Sequence, residues 1–319
     1  MALALPAHRV ATPALERLTG GASGTVLGAG ATAAWVDLGG FVLAVTTREV
    51  PLLPNAVALT ADGGALAPVG PGGTARCSPG RVELPGLTVG WDPSDPPAWD
   101  PTVPAAGVAA REVGRRGEAV LGALGIRPAP DPGAMVRALA GMGMATAVEP
   151  AGASGLELLL RAVLERDPAP AAGAAALLLG RGPGLTPEGD DLLAAVAAAV
   201  ATLGPAAGLP GPFLAAMLAA LVPSCTPAAG PGAGDGEDQR RAGGLAGRTT
   251  ALAATLLELA ARGQVAEPAG RLLDLGPAGE RDWPAALRRL ERLGHGSGRA
   301  YAAGIGAAAL LLAAGGRLG

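Results

Sequence analysis

A proline-rich segment at residues 91–101 divides the chain into two parts with different hydrophobic periods. Each proline fixes its own φ and biases the preceding residue toward extended backbone, so regular structure ends there. Before this segment apolar residues recur in short β-prone runs, and after it they recur at about 3.6-residue spacing. We therefore expect an α+β fold, with a small N-terminal antiparallel β module at residues 1–100 and a larger all-helical domain at residues 101–319.

The strongest strand signal is a hairpin. Residues 32–38 and 41–46 are β-prone and flank Gly39 and Gly40, and a Gly-Gly pair readily supplies the positive φ of a tight turn. Further candidate strands are residues 56–60, 81–84 and 87–91.

Helical periodicity predicts eight helices after the proline-rich segment. They are residues 108–124, 132–139, 156–166, 192–203, 212–221, 249–262, 283–293 and 299–312. The stretch 223–244 is rich in glycine and acidic residues, and we expect it to be a mobile surface loop.

The amino-acid composition limits the classes of partner and metal that we expect for this chain. All 24 basic residues are arginines, the net charge is -3, and half of the residues are apolar. Without a dense basic run we expect no nucleic-acid partner. Cys77 and Cys225 lack paired spacing, so we expect neither a disulfide framework nor a zinc site.

We also expect a cytoplasmic protein with no membrane partner. Pro6 and His8 interrupt the apolar start before it reaches signal-peptide length. The apolar runs at 192–203 and 300–314 are shorter than the ~20 residues of a membrane span, and they are rich in alanine and glycine, so we interpret them as buried helices.

The inventory of catalytic side chains is short, since the chain has no lysine and two histidines. A lysine Schiff base and a histidine-rich metal centre are excluded. Backbone amides, hydroxyls, carboxylates and arginines remain, and these groups suit the binding of small anions.

One segment concentrates these groups. Residues 180–191 read Gly-Arg-Gly-Pro-Gly-Leu-Thr-Pro-Glu-Gly-Asp-Asp and lead into an alanine-rich helix. Thr186 is a natural N-cap and Pro187 suits the first helical position. The glycines allow backbone N–H groups to approach a ligand. The predicted substrate-binding residues of this segment are Gly182, Gly184, Leu185, Thr186 and Gly189.

Asp190 and Asp191 are the predicted catalytic carboxylates. Adjacent helical residues point roughly 100° apart, so the two side chains face different surroundings. They are also possible Mg²⁺ ligands. The alternative is that both only favour the positive helix end, which contributes ~0.3 to 1 kcal/mol each.

Two other helix starts carry similar chemistry. Arg248, Thr249 and Thr250 precede one helix, where they suit an anion or a cap. The turn at 293–299 contains His295, which is either catalytic or structural, together with Ser297 and Arg299 as predicted substrate contacts. We expect the three helix N-termini to converge on one ligand.

These three segments resemble the AllH-type family, which includes a subunit of oxamate carbamoyltransferase in anaerobic allantoin breakdown. Two departures occur: Leu252-Ala253-Ala254 follows the Thr-Thr pair where a serine is expected, and the histidine turn reads Gly-His-Gly-Ser instead of Gly-His-Ser-Ser. The resemblance implies action with two other subunits, one of them similar to an acyl-CoA synthetase α chain.

The leading functional hypothesis is a carbamoyltransferase subunit in purine nitrogen catabolism, which binds carbamoyl phosphate, oxamate or a similar anion within a hetero-oligomer. One alternative is an ATP- and Mg²⁺-dependent phosphotransferase, in which the glycines contact the phosphates. Another is a non-catalytic assembly or regulatory subunit.

Overall fold

The computed structural model describes residues 3–104, 107–222, 245–294 and 296–315. The chain forms two compact units. The first contains residues 1–102 and 264–267, and the second contains residues 103–263 and 268–319. The predicted loop at 223–244, with Cys225, lies outside the described residues.

The first unit contains one helix and a nine-stranded sheet. The helix is α1 (Thr12–Leu18). The strands are β1 (Leu3–Ala11), β2 (Ala22–Ala29), β3 (Ala33–Asp37), β4 (Val42–Thr46), β5 (Ala56–Leu59), β6 (Thr74–Ser78), β7 (Arg81–Leu84), β8 (Leu87–Gly90) and β9 (Ala98–Trp99).

The predicted small antiparallel module is wrong, because this sheet is mixed and closes on itself. Its order is β5-β4-β3-β2-β6-β7-β8-β1-β9, and β1 also pairs with β5, which closes eight strands into a barrel. β1 runs parallel to β8 and β9, and β4 runs parallel to β5. The unpredicted strand β1 causes the difference, since it pairs with three strands that follow it at long sequence separation.

The predicted hairpin is confirmed. β3 and β4 pair antiparallel, with Asp37 opposite Val42, and Gly39 and Gly40 both have positive φ. Strands predicted at 56–60, 81–84 and 87–91 correspond to β5, β7 and β8. Alternating side chains of the sheet form the core of this unit, including the fully buried Val36 and Val57.

The second unit is helical. Its helices are α2 (Ala110–Ala123), α3 (Pro132–Gly141), α4 (Ala145–Val148), α5 (Pro150–Glu165), α6 (Ala169–Leu178), α7 (Glu188–Leu203), α8 (Gly211–Leu221), α9 (Ala251–Ala260), α10 (Glu267–Leu273), α11 (Pro277–Leu290) and α12 (Ser297–Gly315). All eight predicted helices are present, whereas α4, α6 and α10 were not predicted.

Helix α12 is the centre of the helical unit and packs mainly against α2 and α7. It is long and apolar enough to cross a membrane by length and composition, yet 78% of its most apolar window is buried within the fold. Glycines permit the close packing. A Cβ at Gly117 of α2 would lie 2.6 Å from the Leu310 amide nitrogen, and one at Gly304 would lie 2.6 Å from the Ala195 Cβ.

Candidate functional site

Three helix N-termini meet in the second unit, at the starts of α7, α9 and α12. The Thr249 hydroxyl, just before α9, donates to Asp190 of α7. The Thr250 hydroxyl donates to the Leu185 carbonyl oxygen over 2.5 Å, and the Thr186 and Ser297 hydroxyls are 2.9 Å apart. The structure therefore brings together the three segments that the sequence singled out.

The turn before α7 is exposed and depends on glycine. Gly182 and Gly184 have φ of +110° and +101°, in the left-handed region that favours glycine. A Cβ at Gly182 would lie 2.9 Å from the Glu188 nitrogen, whereas one at Gly184 would meet nothing within 4 Å. Leu185 is 52% exposed. Among the described residues, the N–H groups of Gly182, Gly184 and Leu185 donate no hydrogen bond, so they are available to a ligand.

The second, third and fourth amides of α7 donate hydrogen bonds within the protein. Gly189 donates to the Arg181 carbonyl oxygen over 2.9 Å, and Asp190 and Asp191 both donate to the Pro187 carbonyl oxygen. The predicted N-cap role of Thr186 is wrong, because Pro187 occupies the cap and no side chain bonds the helix start. The Thr186 hydroxyl pairs with Ser297 instead. By contrast, the Thr250 hydroxyl caps α9 by accepting from the Ala253 amide.

Asp190 links two of the segments. Its side chain is buried, one oxygen accepts from the Gly180 amide over 3.0 Å, and the other accepts from the Thr249 hydroxyl. Burial raises the pKa of Asp190, and the hydrogen bonds from Thr249 and Gly180 oppose that increase. Both oxygens have internal partners, so this carboxylate ties the glycine turn to the start of α9.

Asp191 differs from its neighbour. Its side chain is 7% exposed, and the nearby Ser297 hydroxyl favours its charged form. Its Oδ2 atom is buried and has no hydrogen-bond partner among the described residues. Burial raises the pKa of Asp191 to about 8, and the charges of Asp190 and Glu188 contribute in the same direction. A carboxyl group in this state can both accept and give a proton near neutral pH.

Thr146 and Glu149 also contact this site, and neither residue was predicted from the sequence. The Glu188 carboxylate accepts from the Thr146 amide over 2.6 Å, and Arg181 pairs with Glu149. No local signal marks these contacts, because about 30 to 40 residues separate the partners. Tyr301, one turn after Ser297 in α12, was also missed. Burial, with the Asp191 charge, raises the pKa of Tyr301, and its hydroxyl lies 3.4 Å from the Ala194 carbonyl oxygen.

The remaining predicted residues fall into three groups. Arg248 and Arg299 are exposed, and neither forms an ion pair with any described residue. Gly189 is a packing glycine, since a Cβ there would lie 2.2 Å from the Leu178 carbonyl oxygen. His295 lies outside the described residues.

A metal site at the paired aspartates has no support in the part of the chain that the structure describes. There, no group of three or more histidine, cysteine, aspartate or glutamate side chains is arranged to bind a metal ion. The two oxygens of Asp190 already accept internal hydrogen bonds. The chemistry of the site therefore belongs to its hydroxyls, its exposed amides and arginines, and the Asp191 carboxyl group.

Together these features define a protein with a closed mixed β-barrel unit and a helical unit, whose candidate site is built from three helix starts around a buried carboxyl group. Residues 178–309 match the family described as oxamate carbamoyltransferase subunit AllH. This match confirms the resemblance, and it includes the glycine turn and the starts of α7, α9 and α12. No curated protein and no solved structure matches the chain.

Proposed function

We propose that this chain is a subunit of an oxamate carbamoyltransferase-type enzyme and binds a small anion at the three helix starts. One observation carries the proposal: the segment that matches the family, residues 178–309, contains all three helix starts, and their side chains contact one another. Any function that the family owes to this segment would therefore depend on the contacts between the three helix starts.

The anion would bind over the exposed turn. The backbone N–H groups of Gly184 and Leu185, which donate to no described residue, suit a carboxylate or a phosphate oxygen. Arg248 and Arg299 lie at the starts of α9 and α12 and add positive charge, whereas Arg181 of the same region is paired with Glu149. Oxamate and carbamoyl phosphate both carry such an anionic end beside an amide group, so both are suitable ligands.

The family description names a subunit, and we propose that this chain acts in the cytoplasm as part of a hetero-oligomer with other carbamoyltransferase subunits. Carbamoyl transfer needs a second reactant and often a closed site that excludes water. The exposure of the Gly182–Leu185 turn is consistent with a partner or a substrate that covers it.

Arg248 and Arg299 should contribute to the binding of the anion. We expect Arg248→Gln and Arg299→Gln each to weaken oxamate and carbamoyl phosphate binding by about tenfold, because a charge-assisted hydrogen bond contributes about 1.5–3 kcal/mol. Isothermal titration calorimetry on the full chain measures the affinity, repeated with the partner subunits where they co-purify.

Arg161→Gln is the control, since Arg161 is exposed in α5, three residues before Leu164, whose carbonyl oxygen lies close to Gly315 at the end of α12 opposite Ser297. It should bind both compounds as the wild type does. Equal affinity in all four proteins would contradict an anion site at these arginines. Binding that is absent even with the partners present would instead favour a non-catalytic assembly subunit.

No specific observation favours the phosphotransferase alternative. The described residues offer no cluster of ligands for the Mg²⁺ that such an enzyme requires.

A further inference from the structure

The binding of an anion at the exposed turn does not use the buried Oδ2 atom of Asp191. It lies in the first turn of α7, its accessible area is negligible, and no described residue donates to it. Burying a carboxylate oxygen without a donor is costly, since the lost hydration is not replaced. Proteins pair nearly all such atoms. Other buried polar atoms without a partner, such as Thr146 Oγ1, occur among the described residues, so it is the position of Oδ2 beside the three helix starts that points to a ligand.

The Ser297 hydroxyl is close to both Asp191 and Thr186. Its interaction with the Asp191 carboxyl group opposes the increase in the pKa of Asp191, and it lies 2.9 Å from the Thr186 hydroxyl. Thr186, Ser297 and Asp191 therefore bring together the glycine turn, the start of α12 and the first turn of α7. The Oδ2 atom of Asp191 has no hydrogen-bond partner among the described residues.

The surroundings decide which donor Oδ2 can receive. Glu188 and Asp190 lie on the same helix turn and add negative charge, and Tyr301 of α12 already directs its hydroxyl to the Ala194 carbonyl oxygen. A second anion at this position would be repelled. A neutral N–H donor meets no such penalty, and an amide N–H can bond whether the carboxyl group is ionised or not.

We propose that Asp191 Oδ2 accepts a hydrogen bond from a primary amide –NH₂ of the ligand, and that Asp191 thereby restricts the site to small anions carrying an amide or carbamoyl group. This inference rests on the proposed function and extends it. The anionic end binds the exposed turn and the arginines, and the –NH₂ end reaches the buried oxygen. Asp190, with both oxygens occupied, cannot substitute for its neighbour.

The test compares oxamate with pyruvate, in which a methyl group replaces the –NH₂ group at nearly the same size. Calorimetry on the full chain gives the ratio of the two affinities. We expect the wild type to bind oxamate about 100-fold more tightly, because the methyl group leaves a buried acceptor without a donor. In Asp191→Leu the ratio of the oxamate affinity to the pyruvate affinity should fall to within about threefold of unity. The main reason is that the methyl group of pyruvate no longer faces a buried oxygen that lacks a donor.

If Asp191→Leu fails to fold, two further variants still test the role of Asp191. Ser297→Ala retains the carboxyl group but removes the hydroxyl beside it, and should lower the ratio about five- to tenfold. Asp131→Asn changes an exposed aspartate at the N-cap of α3, where asparagine caps equally well, and should leave the ratio unchanged.

The outcomes separate the two proposals. If neither compound binds any of the proteins, the proposed function fails and this inference fails with it. If oxamate and pyruvate bind the wild type equally well, or if the ratio is the same in the wild type, Asp191→Leu and Ser297→Ala, the anion site stands and the role of Asp191 is overturned.

Discussion

Two adjacent aspartates at the start of α7 show how strongly position controls a side chain. Asp190 accepts hydrogen bonds on both oxygens, from the Gly180 amide and the Thr249 hydroxyl. Asp191, one residue later, turns about 100° around the helix axis and meets Ser297, with one oxygen unpaired. The sequence predicts that the two carboxylates face different surroundings and proposes both as catalytic. In the structure both oxygens of Asp190 have internal partners, whereas one oxygen of Asp191 has none among the described residues.

Asp191 should make the stability of the protein depend on pH. Its pKa is raised from 3.8 in the unfolded chain to about 8 in the folded protein. Between these values the folded state binds more protons than the unfolded state, so this contribution is complete below pH 3.8 and is lost as the pH rises through about 8. Asp191→Asn carries no titrating group at this position. As the pH rises from about 5 to about 8, we expect its unfolding free energy to increase relative to that of the wild type by roughly 2 to 4 kcal/mol.

Chemical denaturation at the two pH values measures this difference. Asp131→Asn serves as the control, because Asp131 is exposed, and its difference from the wild type should stay nearly constant with pH. An Asp191→Asn variant whose stability follows that of the wild type at both pH values would show that Asp191 does not carry this proton in the folded state.

Close helix packing in the second unit depends on positions without side chains. Gly117 of α2 faces Leu310 and Gly306 of α12, and its Cβ position is 2.7 Å from the Gly306 carbonyl oxygen. Since backbone atoms cannot move aside as the end of a flexible side chain can, a methyl group here requires the two helices to separate. The alanine-rich faces of α7 and α12 meet in the same way.

We expect Gly117→Ala to destabilise the protein by about 2 to 4 kcal/mol, because overpacking against backbone is poorly relieved. Gly122→Ala on the same helix is the matched control: its Cβ meets nothing within 4 Å, and alanine should stabilise the helix by about 0.5 to 1 kcal/mol. Urea denaturation of both variants measures the two effects. Similar changes in both variants would mean that helix propensity, not the contact with α12, governs Gly117.

At the scale of the whole molecule, the chain leaves the barrel unit after residue 102 and returns to it for residues 264–267. Within the barrel unit Thr102 pairs with Gln264, and the Glu267 amide donates to the Leu52 carbonyl oxygen over 2.9 Å. The first unit is therefore built from two segments of the chain, so its boundary cannot be read from one position in the sequence.

Arg116 connects distant parts of the helical unit. Its guanidinium is buried in α2, donates to the Leu272 carbonyl oxygen over 2.8 Å and to Glu280 over 2.9 Å, and lies over the Trp283 ring. Burial lowers the pKa of Arg116, and its bond to Glu280 opposes that shift. These contacts span more than 150 residues of sequence.

We expect Arg116→Met to cost about 3 kcal/mol of unfolding free energy, since it leaves buried carbonyl oxygens without their donor. Arg115→Met, at the next position on the same helix, should cost less than about 1 kcal/mol, because Arg115 forms only exposed ion pairs. Guanidinium denaturation compares the two. If Arg116→Met is no less stable than Arg115→Met, the buried network does not contribute to the stability of the fold.

The sequence predicted several features correctly for local reasons. Gly39 and Gly40 adopt positive φ in the expected hairpin, and Thr250 caps α9, which is one of the two roles that the sequence left open for it. The predictions from the sequence failed where prolines or glycines obscured the local pattern. Pro6 and the glycines of β2 obscure two strands of the barrel, and Pro187, not Thr186, precedes the first residue of α7. The predicted meeting of three helix starts did not follow from periodicity; similar chemistry at three helix N-termini suggested it.

By itself, the sequence determined the elements whose geometry is set by neighbouring residues: turns that require glycine, helices with apolar residues at regular spacing, and the supply of hydroxyls, carboxylates and arginines. Only the tertiary structure decided that β1 pairs with β5 and closes the sheet, and that Thr249 contacts Asp190 from 59 residues away. It also decided that one oxygen of Asp191 has no partner in the part of the chain that the structure describes. The reason is physical: hydrogen bonding and burial of a group depend on the atoms that surround it, and in this protein those atoms come from distant parts of the chain.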